Sequence, residues 1–93
     1  MSRLQVLRFP NPSRSFDPSK SRVCFWGYDS AIEVSFFVEA SALKLLCPQM
    51  SNVEAEFLST FDAARMRIHK VAEKVYVRAG RGATAYGLAA KDF

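Results

Sequence analysis

FWGYDSAIEVSFFVEAS, residues 25–41, changes its hydrophobic period partway along, and that change decides how the chain folds. From 31 to 38 the apolar Ile32, Val34, Phe36 and Val38 alternate with Glu33, Ser35 and Phe37, a period of two that puts the first set on one face of a strand. Immediately upstream, residues 22–28 are β-branched and aromatic, with Val23 and Phe25 on one side and Cys24 and Trp26 on the other, which reads as a second strand. Gly27-Tyr28-Asp29-Ser30 between them carries turn chemistry, glycine for a positive φ and aspartate for a local side-chain bond. A β-hairpin is expected. Past Val38 the alternation stops, and a short helix is expected over about 40–46, ended by Pro48.

Downstream, Ser51-Asn52-Val53-Glu54 has the spacing of a capping box, in which Ser51 caps a helix and Glu54 reaches back. Behind it Val53, Phe57, Phe61, Ala64, Ile68, Val71, Ala72 and Val75 recur every three or four residues, which predicts one long amphipathic helix ending near 77–78. Gly80 and Gly82 mark its exit, and residues 84–90 fit a last strand with Tyr86 and Leu88 facing the same way. Upstream, FPNPSRSFDP (9–18) holds three prolines and suits an irregular or edge segment. Strands, then helices, then a strand imply an α+β domain. Its sheet is expected to be antiparallel, of three to four strands, a hairpin plus the C-terminal strand, with one short and one long helix on one face. Residues 1–8 form an arm, disordered or a short strand through Leu4, Val6 and Leu7, and residues 9–93 a single domain.

Ninety-three residues support one core, and 49% hydrophobic against 24% charged residues is a globular composition. Cys24 and Cys47 belong to no C-x-x-C pair, so neither a zinc site nor a redox motif is indicated and both read as reduced core thiols. No secretory h-region and no apolar run near 18 residues is present, so the cytoplasm is the expected location and no membrane partner is expected. The net charge of +4 is unevenly spread. Residues 1–22 carry +4, residues 23–64 carry −5 and residues 65–93 carry +5. A two-signed surface of this kind steers a partner or orients a dimer.

Three sets of side chains stand out. Asp62, Arg65 and His69 share a helical stripe that suits an anion or proton transfer, but Asp62 and Arg65 are spaced for an ordinary ion pair and His69 borders the apolar stripe. One histidine without a second ligand at metal spacing leaves no metal site, and no cofactor motif is present. Arg67, Lys70, Lys74, Arg78 and Arg81 form a basic stripe, a candidate for phosphate contact that is more simply a solvated face, with no nucleic-acid-binding motif beside it. Gly80-Arg81-Gly82 follows a helix, whereas phosphate loops follow a strand, and no serine sits in a nucleophile elbow. No catalytic residue is therefore expected.

The chain resembles a small bacterial family named domain of unknown function 1488. The likeness rests on FPNPSRSFD (9–17), VCFWGYDSA (23–31), VSFFVEA (34–40), FDAARMRI (61–68), Ala72, Tyr76 and the terminal AKDF. It implies an α+β fold and a bacterial cytosolic origin, and draws attention to Arg14, Asp17, Trp26, Asp29, Arg65, Tyr76 and Asp92 without assigning roles to them. His69 is not tied to the family pattern.

The leading expectation is a non-enzymatic accessory or protein-interaction module that self-associates through a sheet edge or helix face. Trp26, Tyr28 and Phe37, on the face or at the turn away from the core, are its candidate surface. The alternatives are a nucleic-acid-associated domain using the basic stripe, and a small-ligand site near the hairpin end. The second would draw on a polar cluster of Arg14, Asp17, Asp29 and Arg65, with Tyr28 beside it.

Overall fold

The structure is a computed structural model that describes residues 7–10, 13–80 and 82–93. The hairpin is its centre. Strands β2 (Arg22–Asp29) and β3 (Ile32–Glu39) pair antiparallel over eight residues each, with Phe25 opposite Phe36 and Trp26 opposite Ser35. The turn is tighter than the glycine suggested: Asp29 still pairs with Ile32, and Ser30, not Gly27, adopts the positive φ, at 58°. Gly27 is a strand residue whose missing Cβ makes room for the Phe9 ring, since a Cβ there would lie 2.6 Å from Phe9 Cε1.

An edge strand, β1 (Arg14–Asp17), lines the outer side of β2, and Arg8 continues that side through two backbone bonds with Tyr28 of 2.9 and 2.8 Å. The segment between the prolines therefore supplies an edge strand, the position at which neighbouring residues without an N–H interrupt no interior ladder. Leu7 is wholly buried. The expected strand through Leu4 and Val6 lies outside the described residues.

Helix α1 (Ala40–Leu46) follows β3 directly. The expected long helix is two, α2 (Glu54–Ala63) and α3 (Arg65–Ala79), which meet at Ala64. There the Ala64 N–H is shared between the Thr60 and Phe61 carbonyls at 3.1 and 3.2 Å, and the α-helical pattern resumes with Ile68 N–H on the Ala64 carbonyl. Neither proline nor glycine marks the bend, so periodicity alone misses it. The bend lets Phe57 and Phe61 on one limb and Ile68 and Ala72 on the other reach the same core. The expected Ser51 cap is absent: α2 starts from Val53 with no side-chain cap, and the Ser51 N–H instead donates to Glu56 Oε1 at 2.7 Å.

Strand β4 (Tyr86–Leu88) completes the sheet in the order β1-β2-β3-β4, and a 3₁₀ turn (Ala90–Asp92) follows. It pairs with β3 in parallel, Phe36 beside Tyr86. The sheet is thus mixed where an antiparallel one was expected. Parallel neighbours require a long crossover, and the helical segment between β3 and β4 provides it.

All three helices contribute to one core with the odd-numbered face of β2 and the even-numbered face of β3. Val23, Phe25, Phe36, Val38, Phe57, Phe61, Ile68 and Leu88 are at most 1% exposed. Phe25 stacks on Phe36 at 5.2 Å and meets Phe61 at 5.1 Å. Within this core the buried Asp29 accepts a 2.6 Å hydrogen bond from the Tyr76 hydroxyl, tying the hairpin tip to α3.

Two outcomes follow for stability. Tyr76→Phe is expected to lower the unfolding free energy by about 1–3 kcal/mol in urea titrations, because it withdraws a donor from a buried carboxylate. Gly27→Ala is expected to cost about 1–3 kcal/mol in the same titrations, by overpacking against Phe9.

Candidate functional site

The strand alternation that fills the core also builds a second surface. Arg22, Cys24, Trp26 and Tyr28 of β2 point away from the helices, as do Glu33, Ser35, Phe37 and Glu39 of β3. Trp26, Tyr28 and Phe37 are partly exposed and stand outside the core cluster. All three thus lie on one face of the sheet, Tyr28 within the strand rather than in the turn. An antiparallel pair with one free face ordinarily shows polar residues there, so a Trp, a Tyr and a Phe together are informative.

Phe37 is held flat against the sheet from both sides. Gly87 lies beneath it, so close that a Cβ would come within 2.6 Å of the ring, and the Arg22 guanidinium covers it at 3.9 Å from the centroid. Arg22 also bonds Asp17 through Nε at 3.1 Å, while Glu39, its direct cross-strand neighbour, stays exposed. Asp17 is held below the usual carboxylate range, first by the Ser19 hydroxyl at 2.7 Å and then by the Ser19 N–H and Arg22. Burial pushes the Cys24 thiol up, away from the reactive thiolate. Sequence reading did not single out Gly87, Arg22, Glu33, Ser35 or Glu39; register, which fixes their neighbours, was the missing signal.

The proposed polar cluster divides into three places. Arg14 and Arg65 do meet, both on Asp62: Arg14 forms a two-pronged pair with 2.9 Å contacts, and Arg65 closes to 2.6 Å. Asp62 is held low by Arg14 first, and by Arg65 as well. Asp17 belongs to the Arg22 end of β2, and Asp29 to the other end, bound to Tyr76. At ~3.3 Å per residue those ends are roughly 23 Å apart, so Arg14, Asp17, Tyr28 and Asp29 do not converge near the hairpin tip. An open groove of about 810 Å³ lies beside the helix bend, lined by Leu46, Cys47, Thr60, Asp62, Arg65 and Met66 among others.

The basic stripe is also divided. Arg78 pairs with Asp92 at 3.1 Å, and Arg67 lies over the Phe93 ring at 5.8 Å. Asp92, held low chiefly by the Ala89 N–H, so occupies one arginine of the stripe. Lys70 and Lys74 are exposed, while Arg81 lies outside the described residues. Among the described residues no three metal-ligating side chains gather, and no helix is long and apolar enough to cross a membrane.

His69 stacks face to face on Phe9, 3.9 Å between centroids, with Phe25 at 5.8 Å. Burial, and secondarily Arg65, lower its pKa to about 4. The unfolded chain therefore binds the proton first as pH falls. The stability contributed by the neutral ring is complete above pH ~6.5 and is lost progressively down to about 4. Chemical denaturation across pH 4–7 is expected to show a loss of about 1–2 kcal/mol, discounted for solvent at this half-buried ring, that disappears in His69→Phe.

With this geometry in view, comparison with known proteins gives a consistent result. A search of curated proteins finds no match. A crystal structure of a protein of unknown function from the DUF1488 family of Shewanella loihica PV-4 superposes with a TM-score of 0.80 at 19% identity. The match covers 94% of this chain and 96% of that one, a likeness of fold. The family model described as "Protein of unknown function (DUF1488)" matches residues 7–88, nearly the whole α+β domain, and the chain belongs to that family.

Proposed function

We propose that this chain is a non-enzymatic protein-interaction module of the cytoplasm that docks its partner on the free face of the sheet. The observation that carries this reading is the group Trp26, Tyr28 and Phe37, partly exposed on the face opposite the helices. Aromatic side chains and arginine are the residues most enriched in protein interfaces, because they bury much area at small entropic cost. Phe37 is also pre-positioned, by Gly87 and Arg22, so little ordering of that side chain remains to be done on binding. Two free cysteines suit a reducing compartment. The ionisable groups favour the same reading, since Asp62, Asp17 and Asp92 each hold an arginine of their own chain.

Site-specific photo-crosslinking in the native cell separates this reading from its rivals. A crosslinking residue at position 35, on the free face, is expected to yield a discrete protein adduct, and one at position 74, on the basic stripe, is expected to yield none. Adducts from position 74 alone, or nucleic acid recovered there, would overturn the proposal. So would silence at both positions.

A further inference from the structure

The register of β2 against β3 sorts the free face into two columns of opposite character. On β2 stand the donors: the Arg22 guanidinium, the Trp26 indole N–H and the Tyr28 hydroxyl. On β3, directly across from them, stand the acceptors Glu39, Ser35 and Glu33. The remaining row pairs Cys24 with Phe37. Within one copy these columns do not satisfy each other end to end, because Arg22 is engaged by Asp17 and by the Phe37 ring while Glu39 stays exposed.

From this arrangement, and resting on the reading of the free face as a docking surface, we propose that its occupant is a second copy of the chain. The two sheets stack face to face about a two-fold axis that runs parallel to the strands between β2 and β3. Such an axis exchanges the columns without changing the row. Arg22 then lies over Glu39 of the second copy, Trp26 over its Ser35, Tyr28 over its Glu33, and Cys24 over its Phe37. Each contact occurs twice, as a closed isologous interface requires.

Charge selects this axis over the other in-plane choice. A two-fold perpendicular to the strands keeps each column over itself and reverses the rows, which places Glu33 over Glu39 of the second copy. That like-charge contact is unfavourable. Stacked sheets cross by about 30°, so the central rows stay aligned while the ends splay by about 5 Å, within reach of Arg and Glu side chains. At ~3.3 Å per residue and ~4.8 Å between strands the four strands offer a footprint of roughly 360 Å². This is below the ~800 Å² per partner of a standard interface, so the pairing is concentration-dependent.

Sedimentation of the full chain from about 5 µM to about 1 mM tests the inference across the range expected for an interface this small. Wild type is expected to pass from monomer to dimer in that range. Glu39→Lys and Arg22→Glu, alone, are each expected to weaken the dimer at least about 5-fold. Mixed together they are expected to form a heterodimer, because both charge pairs are then restored. Since Arg22 also serves its own chain, thermal unfolding of each variant is recorded. Ser35→Glu, beside the axis on the solvent side, provides a disruptive change that leaves the core untouched and is expected to stay monomeric throughout.

A wild type that remains monomeric at about 1 mM, or a dimer indifferent to Ser35→Glu, overturns the inference. A dimer strengthened by Glu39→Lys overturns it too, by pointing to the perpendicular axis. If position 35 captures a different protein in the cell while wild type stays monomeric, the docking-surface reading stands and only the second-copy inference fails.

Discussion

The eight-residue pairing of β2 with β3 is the constraint on which the rest of this protein depends. In a strand every second side chain lies on the same face, so moving the register by a single residue would send Phe25 and Phe36 into solvent and bring Trp26 and Phe37 against the helices. The core and the free face are therefore specified by one decision. Contacts on both sides lock it: Phe25, Phe36 and Phe61 form a packed aromatic group beneath the sheet, and above it Phe37 lies on Gly87 under the Arg22 guanidinium.

The two glycines of the sheet show how a missing side chain can be as specific as a present one. Gly27 leaves a gap on the helix side that the Phe9 ring fills, and Phe9 in turn stacks on His69 of α3. Gly87 leaves the corresponding gap on the free side for Phe37. Both positions are extended backbone, so the need is for space and not for an unusual φ. In each case an aromatic residue from a neighbouring segment crosses the strand where the glycine sits. The N-terminal segment and β4 are thereby keyed to the hairpin at one position each.

Much of this was legible in the residues themselves. Alternation from Ile32 to Val38 and the mixed β-branched run before it mark the hairpin, and the loss of alternation after Val38 marks α1. The apolar stripe from Phe57 to Val75 marks a helical layer. Three features were not legible, each because it depends on contacts distant in sequence. The bend at Ala64 follows from bringing both limbs of the stripe onto one core, and the stripe itself runs on unbroken. The parallel sense of β4 follows from the path of the crossover. The separation of Arg14, Asp17 and Asp29 follows from register: residues that look close in sequence lie at opposite ends or on opposite faces of the β1–β2 pair, and Arg14 finds Asp62, 48 residues away.

The parallel union of β3 with β4 also bears on how the chain is made. The β2–β3 hairpin closes across a two-residue turn and needs only neighbours, whereas Tyr86 meets Phe36 across forty-nine residues of intervening chain. Local pairs form early and distant ones late, because loop-closure entropy must first be met. On the ribosome the hairpin can therefore assemble while β4 is still unsynthesised, leaving the Phe36 edge of β3 unpaired in the interval. That open edge, bordered by Phe36 and Phe37, is where a nascent copy is most exposed to pairing with the wrong strand.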